Sequence, residues 1–372
     1  MSWQTATLAD CFGDCVVYRN LEPAQANLNG LRASWPLIGL DHYAIPRKGT
    51  PEHAAYLYYL LGSAQRVRGY GDLVRLLVIG DTLSGDGAVA TQLGQKLPTW
   101  GFIGNEQPDL PAQLNVKGRI VLSTRWQGLR ELLSYLDQQE FIWDSGTALL
   151  LDLDKSLIGA RGRNDKVIDA ARVAAVRGTM CQALGENFDE ADFRKLYDAL
   201  NLSAYHGFTT DNQDYLAYIC LMAIGGVFSI PELWQRLAQS ELTSFAQFVH
   251  ACESRRNRMV APLLLAHDEV RLGLAREDPT PFKGFRRAEY LQTVQRMNTL
   301  PAEAEVSQVL ANEIVITAEV LSLARYAAVR GALVMGISDK PDEASTPVPE
   351  QAALGYQPIH RTPMKVFGAS IV

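Results

Sequence analysis

The chain has 372 residues, 47% hydrophobic and 20% charged, enough for two ordinary domains and too apolar for wholesale disorder. Its 35 Lys and Arg against 41 Asp and Glu give a net charge of −6. That balance, with no basic run, argues against broad electrostatic binding to nucleic acid or an anionic membrane. The five cysteines, Cys11, Cys15, Cys181, Cys220 and Cys252, are odd in number and scattered, so they do not read as a disulfide framework. Cys11 and Cys15 lack a second pair of zinc-site spacing.

In chain order, helical spacing over 52–65 leads to an apolar strand at 76–79 and a helix from about residue 88. Strand-length apolar runs follow at 100–103 and 120–122, then a helix over 126–138 and a strand at 148–151. Near the end, a helix over 318–330 runs through Gly331 into a strand at 332–337. Continuous apolar runs alternating with helices predict a parallel sheet covered on both faces. Between the two blocks, helical patterns follow one another: 167–184, 190–200, 214–224, 231–238, 245–255, 262–275 and 287–297. The expected fold class is α/β, a Rossmann-like parallel sheet over 1–160 and 316–372 with an all-helical domain inserted over 161–315.

The longest uncharged apolar run, 216–230, contains Gly225 and Gly226. It is shorter than the roughly 18–20 residues of a membrane span and reads as a buried helix. No cationic segment followed by an apolar stretch opens the chain, so the expectation is a soluble, cytoplasmic protein.

Three strand ends carry the chemistry. The run Ala148-Leu149-Leu150-Leu151 ends in Asp152-Leu153-Asp154. On an extended segment, residues two apart point to the same side, so both carboxylates are expected to reach one small volume. Leu76-Leu77-Val78-Ile79 ends in Gly80-Asp81, with Asp86 five positions on. The third strand ends in Ser338. In open parallel sheets, ligands bind beyond the carboxyl ends of the strands. Crowded carboxylates at such an edge call for a divalent cation with oxygen preference, such as Mg2+.

These residues resemble the motifs of the haloacid dehalogenase-like (HAD) superfamily. Its first motif, a strand followed by DxDx[T/V], is matched by Asp152-Leu153-Asp154-Lys155-Ser156, with Ser156 in the last place. Its second, a strand ending in Ser or Thr, is matched by Ser338, and its fourth by Gly80-Asp81 with Asp86. The third is a lysine before the helix leading to the fourth-motif strand. Lys48 stands in that relation, and Lys365, just after the second motif, competes for the part. The order here is third, fourth, first, second, a circular permutation of the usual one. The helical insert falls between the first and second motifs, where many members carry a cap.

The resemblance implies a magnesium-dependent phosphohydrolase acting on a small organic phosphate monoester. Asp152 would be the nucleophile that forms an aspartyl-phosphate, and Asp154 the general acid and base. Asp152, Asp154 through its backbone carbonyl, Asp81, and Asp86 directly or through water would hold Mg2+, while Ser338 and the lysine hold the phosphoryl oxygens. Ser156, Arg161, Arg163, Lys283 and Arg286 are candidates for substrate contact. A phosphotransferase using the same intermediate and a non-catalytic binding or regulatory protein are the alternatives. The expected partner is a small phosphate ester, with neither nucleic acid nor membrane.

Overall fold

The computed structural model describes residues 2–372. Its strands are Thr5–Ala6 (β1), Val16–Val17 (β2), Arg75–Gly80 (β3), Thr99–Gly104 (β4), Leu114–Lys117 (β5), Ile120–Ser123 (β6), Thr147–Asp152 (β7), Ile316–Thr317 (β8), Leu333–Ile337 (β9) and Met364–Phe367 (β10). Seven of them form one sheet in the order β2-β9-β7-β3-β4-β6-β5. Every neighbouring pair in it is parallel except β5 with β6. A small second sheet has the order β1-β10-β8.

All five apolar runs read as strands lie in the large sheet. The sequence pattern missed β5 because it is an edge strand with three exposed residues, joined to β6 by a tight turn at Gly118, where φ is +61°. The two-residue strands are too short to show any period. Every residue of β7 is buried, as is all of β3 after Arg75. Burial of Leu149, Leu150 and Leu151 contributes at most about 1.5–3 kcal/mol per side chain.

The sheet is covered by helices of matching pattern. Thr50 caps the helix Pro51–Val67 by accepting from His53 N at 3.3 Å, and Pro51 sits at the first turn, where no backbone donor is needed. That helix buries Tyr56, Leu57, Leu60, Leu61 and Ala64. The helix Ala318–Val329 buries Val320, Leu321, Leu323, Ala324 and Ala327 and feeds β9.

The chain divides into two compact units. One runs to Ala170 and resumes over Thr293–Val372; the other is Ala171–Gln292. The α/β unit therefore takes up more chain than the apolar pattern alone indicates. Asn164 shows why: its side chain donates to Leu310 O at 2.8 Å and Glu313 O at 3.0 Å, and accepts from Val315 N at 3.1 Å. Those bonds stitch the flanking segments to each other within the α/β unit.

The second unit is helical, including Glu190–Leu200, Gln213–Ile224, Ile230–Ala238, Phe245–Glu253 and Ala261–Ala275. Only the first part of the apolar run is in the helix Gln213–Ile224, which ends at Gly225; it is buried over Leu216–Ala223 and capped by Asn212, which accepts from Asp214 N at 2.9 Å. Phe193, Phe228, Phe248 and Phe285 share its core. Among the described residues, no helix is long and apolar enough to cross a membrane. All five cysteines are free thiols.

Candidate functional site: an acidic cluster at the strand ends

The register brings the three chemistry-bearing strand ends together. Leu151 of β7 is level with Ile79 of β3, and Asp152 with Ile337 of β9. Parallel neighbours end at the same edge, so Asp152, Gly80-Asp81 and Ser338 emerge side by side. Asp81, Asp86 and Asp152 each place a carboxylate oxygen within 4.8 Å of the others'.

Lys48 is the counterion at the centre. Its Nζ lies 2.6 Å from Asp152 Oδ1 and 2.6 Å from Asp86 Oδ1. It donates a hydrogen bond to Asp152. Its charge also holds the buried Oδ1 of Asp86 at the same distance. The other Asp152 oxygen accepts from Ser156 Oγ at 2.8 Å, and Ser156 is fully buried.

Asp86 reaches the cluster because the chain after β3 winds as a wide turn, with Asp86 N and Gly87 N both donating to Thr82 O. Asp86 Oδ2 then accepts from Asp81 N at 3.0 Å and Thr82 N at 3.1 Å. Gly80 makes room for it: a Cβ there would lie 2.0 Å from Asp86 Cγ. Gly80→Ala is expected to cost about 1–3 kcal/mol, the range of an overpacked core. Thermal unfolding should show a lowered Tm with an unchanged circular dichroism spectrum; an unshifted Tm would contradict the close approach.

The charges perturb one another strongly. Burial, then repulsion from Asp86, raises the Asp152 pKa well above the carboxylate range, against the pull of Lys48. Burial and Asp86 likewise raise Asp81, opposed by Arg161, whose Nε lies 2.5 Å from Asp81 Oδ2. Burial works against ionisation of Asp86 too, but Lys48 and the Thr82 and Asp81 amides outweigh it and its pKa is lowered. Burial also opposes charge on Lys48, yet Asp152 and Asp86 hold it protonated, well above the usual lysine value.

Three carboxylates against Lys48 and Arg161 leave a formal excess of one negative charge. All the ligand atoms on offer are hard carboxylate oxygens. The cluster therefore fits a metal ion of the oxygen-preferring kind.

Asp154 is a correction: its side chain is outside the cluster. β7 ends at Asp152, Leu157 N turns back to Asp152 O, and Lys155 takes a left-handed φ of +64°. The same-side rule for residues two apart holds only on an extended strand, and the chain has already left it. The Asp154 side chain is half-buried and makes no hydrogen bond or ion pair with the described residues.

Of the two lysines, Lys48 is the one at the cluster. Lys365 is fully buried elsewhere, its Nζ 2.8 Å from Glu313 Oε2 and 2.7 Å from Leu300 O. Ser338 lines a small cavity with Lys48, Arg19 and His53, of about 10 Å³, room for roughly one water. Its Oγ also accepts from Lys340 N at 3.0 Å.

Three of the expected substrate contacts are committed within the fold. Arg163 forks onto Glu319 at 2.9 and 3.0 Å and reaches Glu106 at 2.9 Å. Arg286 is buried in the helical unit, with Nε 2.8 Å from Asp214 Oδ2 and Nη1 2.6 Å from Glu289 Oε2. Lys283 bonds Asp278 at 2.9 Å and Thr280 at 3.0 Å. Such partners offset the desolvation of Arg163 and Arg286.

His53, which the sequence marks only as one of six histidines without metal-ligand spacing, packs at the edge of the cluster. It is buried beside Lys48, its Nδ1 has no partner, and burial with the Lys48 charge lowers its pKa to about 4. The available signal was its place in the first turn of the helix that follows Lys48. A larger groove of about 880 Å³, lined by Trp3, Val306, Leu321, Val329 and Phe367 among others, includes none of Asp81, Asp86, Asp152 and Asp154.

Comparison with known proteins adds no family to this geometry: no family model matches the chain, and no curated protein or solved structure is similar to it.

Proposed function

We propose that the chain is a HAD-like, circularly permuted, magnesium-dependent phosphohydrolase that hydrolyses small organic phosphate monoesters. The observation that carries the reading is the convergence of Asp152, Asp86, Asp81 and Lys48 at the ends of adjacent parallel strands, with Ser338 on the next strand. These residues are distant in sequence, and packing alone does not call for three buried carboxylates at one point.

Lys48 and Ser156 fix the Asp152 carboxylate from its two oxygens, orienting it as a nucleophile. In the proposed reaction an Asp152 oxygen bonds to phosphorus as the ester P–O bond breaks. Asp154 gives its proton to the leaving alkoxide, and its unpartnered side chain suits that role. Water then attacks phosphorus and loses a proton to Asp154, and the Asp152–phosphorus bond breaks to release phosphate. Lys48 and Ser338 are the proposed donors to the phosphoryl oxygens. Bound Mg2+ would be held by Asp81, Asp86 and Asp152 and would neutralise phosphoryl charge. The helical unit, inserted in the chain between Asp152 and Ser338, is read as the cap that favours small substrates.

The test is phosphate release from a panel of monoesters with Mg2+ and with a chelator. Mg2+-dependent release from at least one ester is expected; no release across a broad panel would overturn the enzyme reading in favour of a binding protein.

A further inference from the structure

We infer that Arg161 is a pivoting counterion, paired with Asp81 while the cation site is empty and with the substrate's phosphoryl anion once a divalent cation takes Asp81. The inference rests on the reading of the cluster as a cation-dependent phosphoryl site.

The contact with Asp81 is single, through Nε at 2.5 Å, and the Arg161 side chain is 34% exposed against 8% for Asp81. Arg163, two residues on, is held differently, by two carboxylates and a forked geometry at 11% exposure. Lys48 is wedged between two carboxylates. Arg161 is thus the cation of the three with the least holding it.

Its backbone, by contrast, is pinned. Arg161 O accepts from Glu106 N at 2.9 Å and Trp126 Nε1 at 3.1 Å, while its N donates to Lys155 O at 2.8 Å. The next residue must be glycine: Gly162 has φ +76°, and a Cβ there would lie 2.0 Å from Glu106 O. A fixed base with an exposed tip lets the guanidinium turn without moving the loop.

Charge gives the direction of the turn. Counted with all three acids ionised, the cluster with Lys48 and Arg161 carries −1, and a divalent cation brings it to +1. That cation and Arg161 compete for the charge of the Asp81 carboxylate, and Arg161 is the partner that can leave. A phosphate monoester dianion then returns the total to −1 with Arg161 beside it, where its planar donor fork suits phosphoryl oxygens.

The experiment is calorimetric titration of the full chain with Mg2+, then with inorganic phosphate at saturating Mg2+, for wild type, Arg161→Ala and Arg161→Lys. Arg161→Ala should bind Mg2+ about three- to tenfold tighter, the scale of a partly exposed ion pair removed. It should bind phosphate about tenfold or more weakly, the scale of a lost charged hydrogen bond. Arg161→Lys should keep near-wild-type Mg2+ affinity with an intermediate phosphate loss. Unchanged phosphate affinity in Arg161→Ala would overturn the assignment and leave Arg161 a fixed counterion. A wild-type chain that takes up no Mg2+ overturns the cation-site reading itself, which separates the two failures.

Discussion

Asp152→Asn is expected to lower phosphate release at least about a thousandfold, the scale seen when a covalent nucleophile is removed. Asparagine preserves the shape but offers no anionic oxygen to phosphorus. The amide can still meet both neighbours. Its oxygen can accept from Lys48, and the Ser156 hydroxyl can rotate to accept from the new NH2. The fold should therefore survive, and in a chelator the variant should be no less stable than wild type. The sign follows from linkage. The folded-state pKa of Asp152 is raised above its unfolded value, so its contribution to stability is full at low pH and lost as pH rises through the folded pKa. Once pH exceeds the unfolded-state value, holding this buried group is a burden that asparagine lacks. Urea unfolding across pH in chelator should show wild-type stability falling more steeply than the variant's as pH rises from the ordinary carboxylate range through the folded pKa. A variant that turned over normally would end the aspartyl-phosphate mechanism.

Lys48→Met should have the largest effect on the metal-free fold, a loss of about 3–5 kcal/mol. That is the usual cost of stripping the partner from a buried charge. Lys48 is the ammonium shared by Asp152 and Asp86, with side-chain exposures of only 5% and 0%. Methionine fills the space but leaves the two carboxylates facing each other. Added Mg2+ should recover part of the loss, because a cation that binds only the folded chain stabilises it by mass action. Denaturant midpoints with Mg2+ and with chelator measure both. Equal loss under the two conditions would mean that the acids do not bind the ion and that Lys48 is only a structural partner.

The strand ends were legible because a buried parallel strand is a continuous apolar run, and a polar residue stopping it is conspicuous. In β7, Ala148, Leu149, Leu150 and Leu151 are buried on both faces, and in β3 so are Leu76, Leu77, Val78 and Ile79. Gly80-Asp81 and Asp86 stood out for the same reason. The helical stretch was readable from its 3.6-residue period. The polar residues were harder. Lys48, Lys365, Arg161, Arg163 and Arg286 look alike in sequence, since a charged side chain carries no mark of the partner it will meet. Asp154 was misplaced because the extended geometry assumed for it ends two residues earlier.

From the sequence alone came the α/β class, the run of helices within it, and the acids that close β3 and β7, all consequences of local period and burial. Only the tertiary structure decided that β3, β7 and β9 are neighbours and that Lys48 sits between Asp152 and Asp86. It also paired Arg161 with Asp81 and sent Lys365 to Glu313. Ion pairing depends on distances between side chains far apart in the chain, and those distances exist only once the sheet has set its strand order and register.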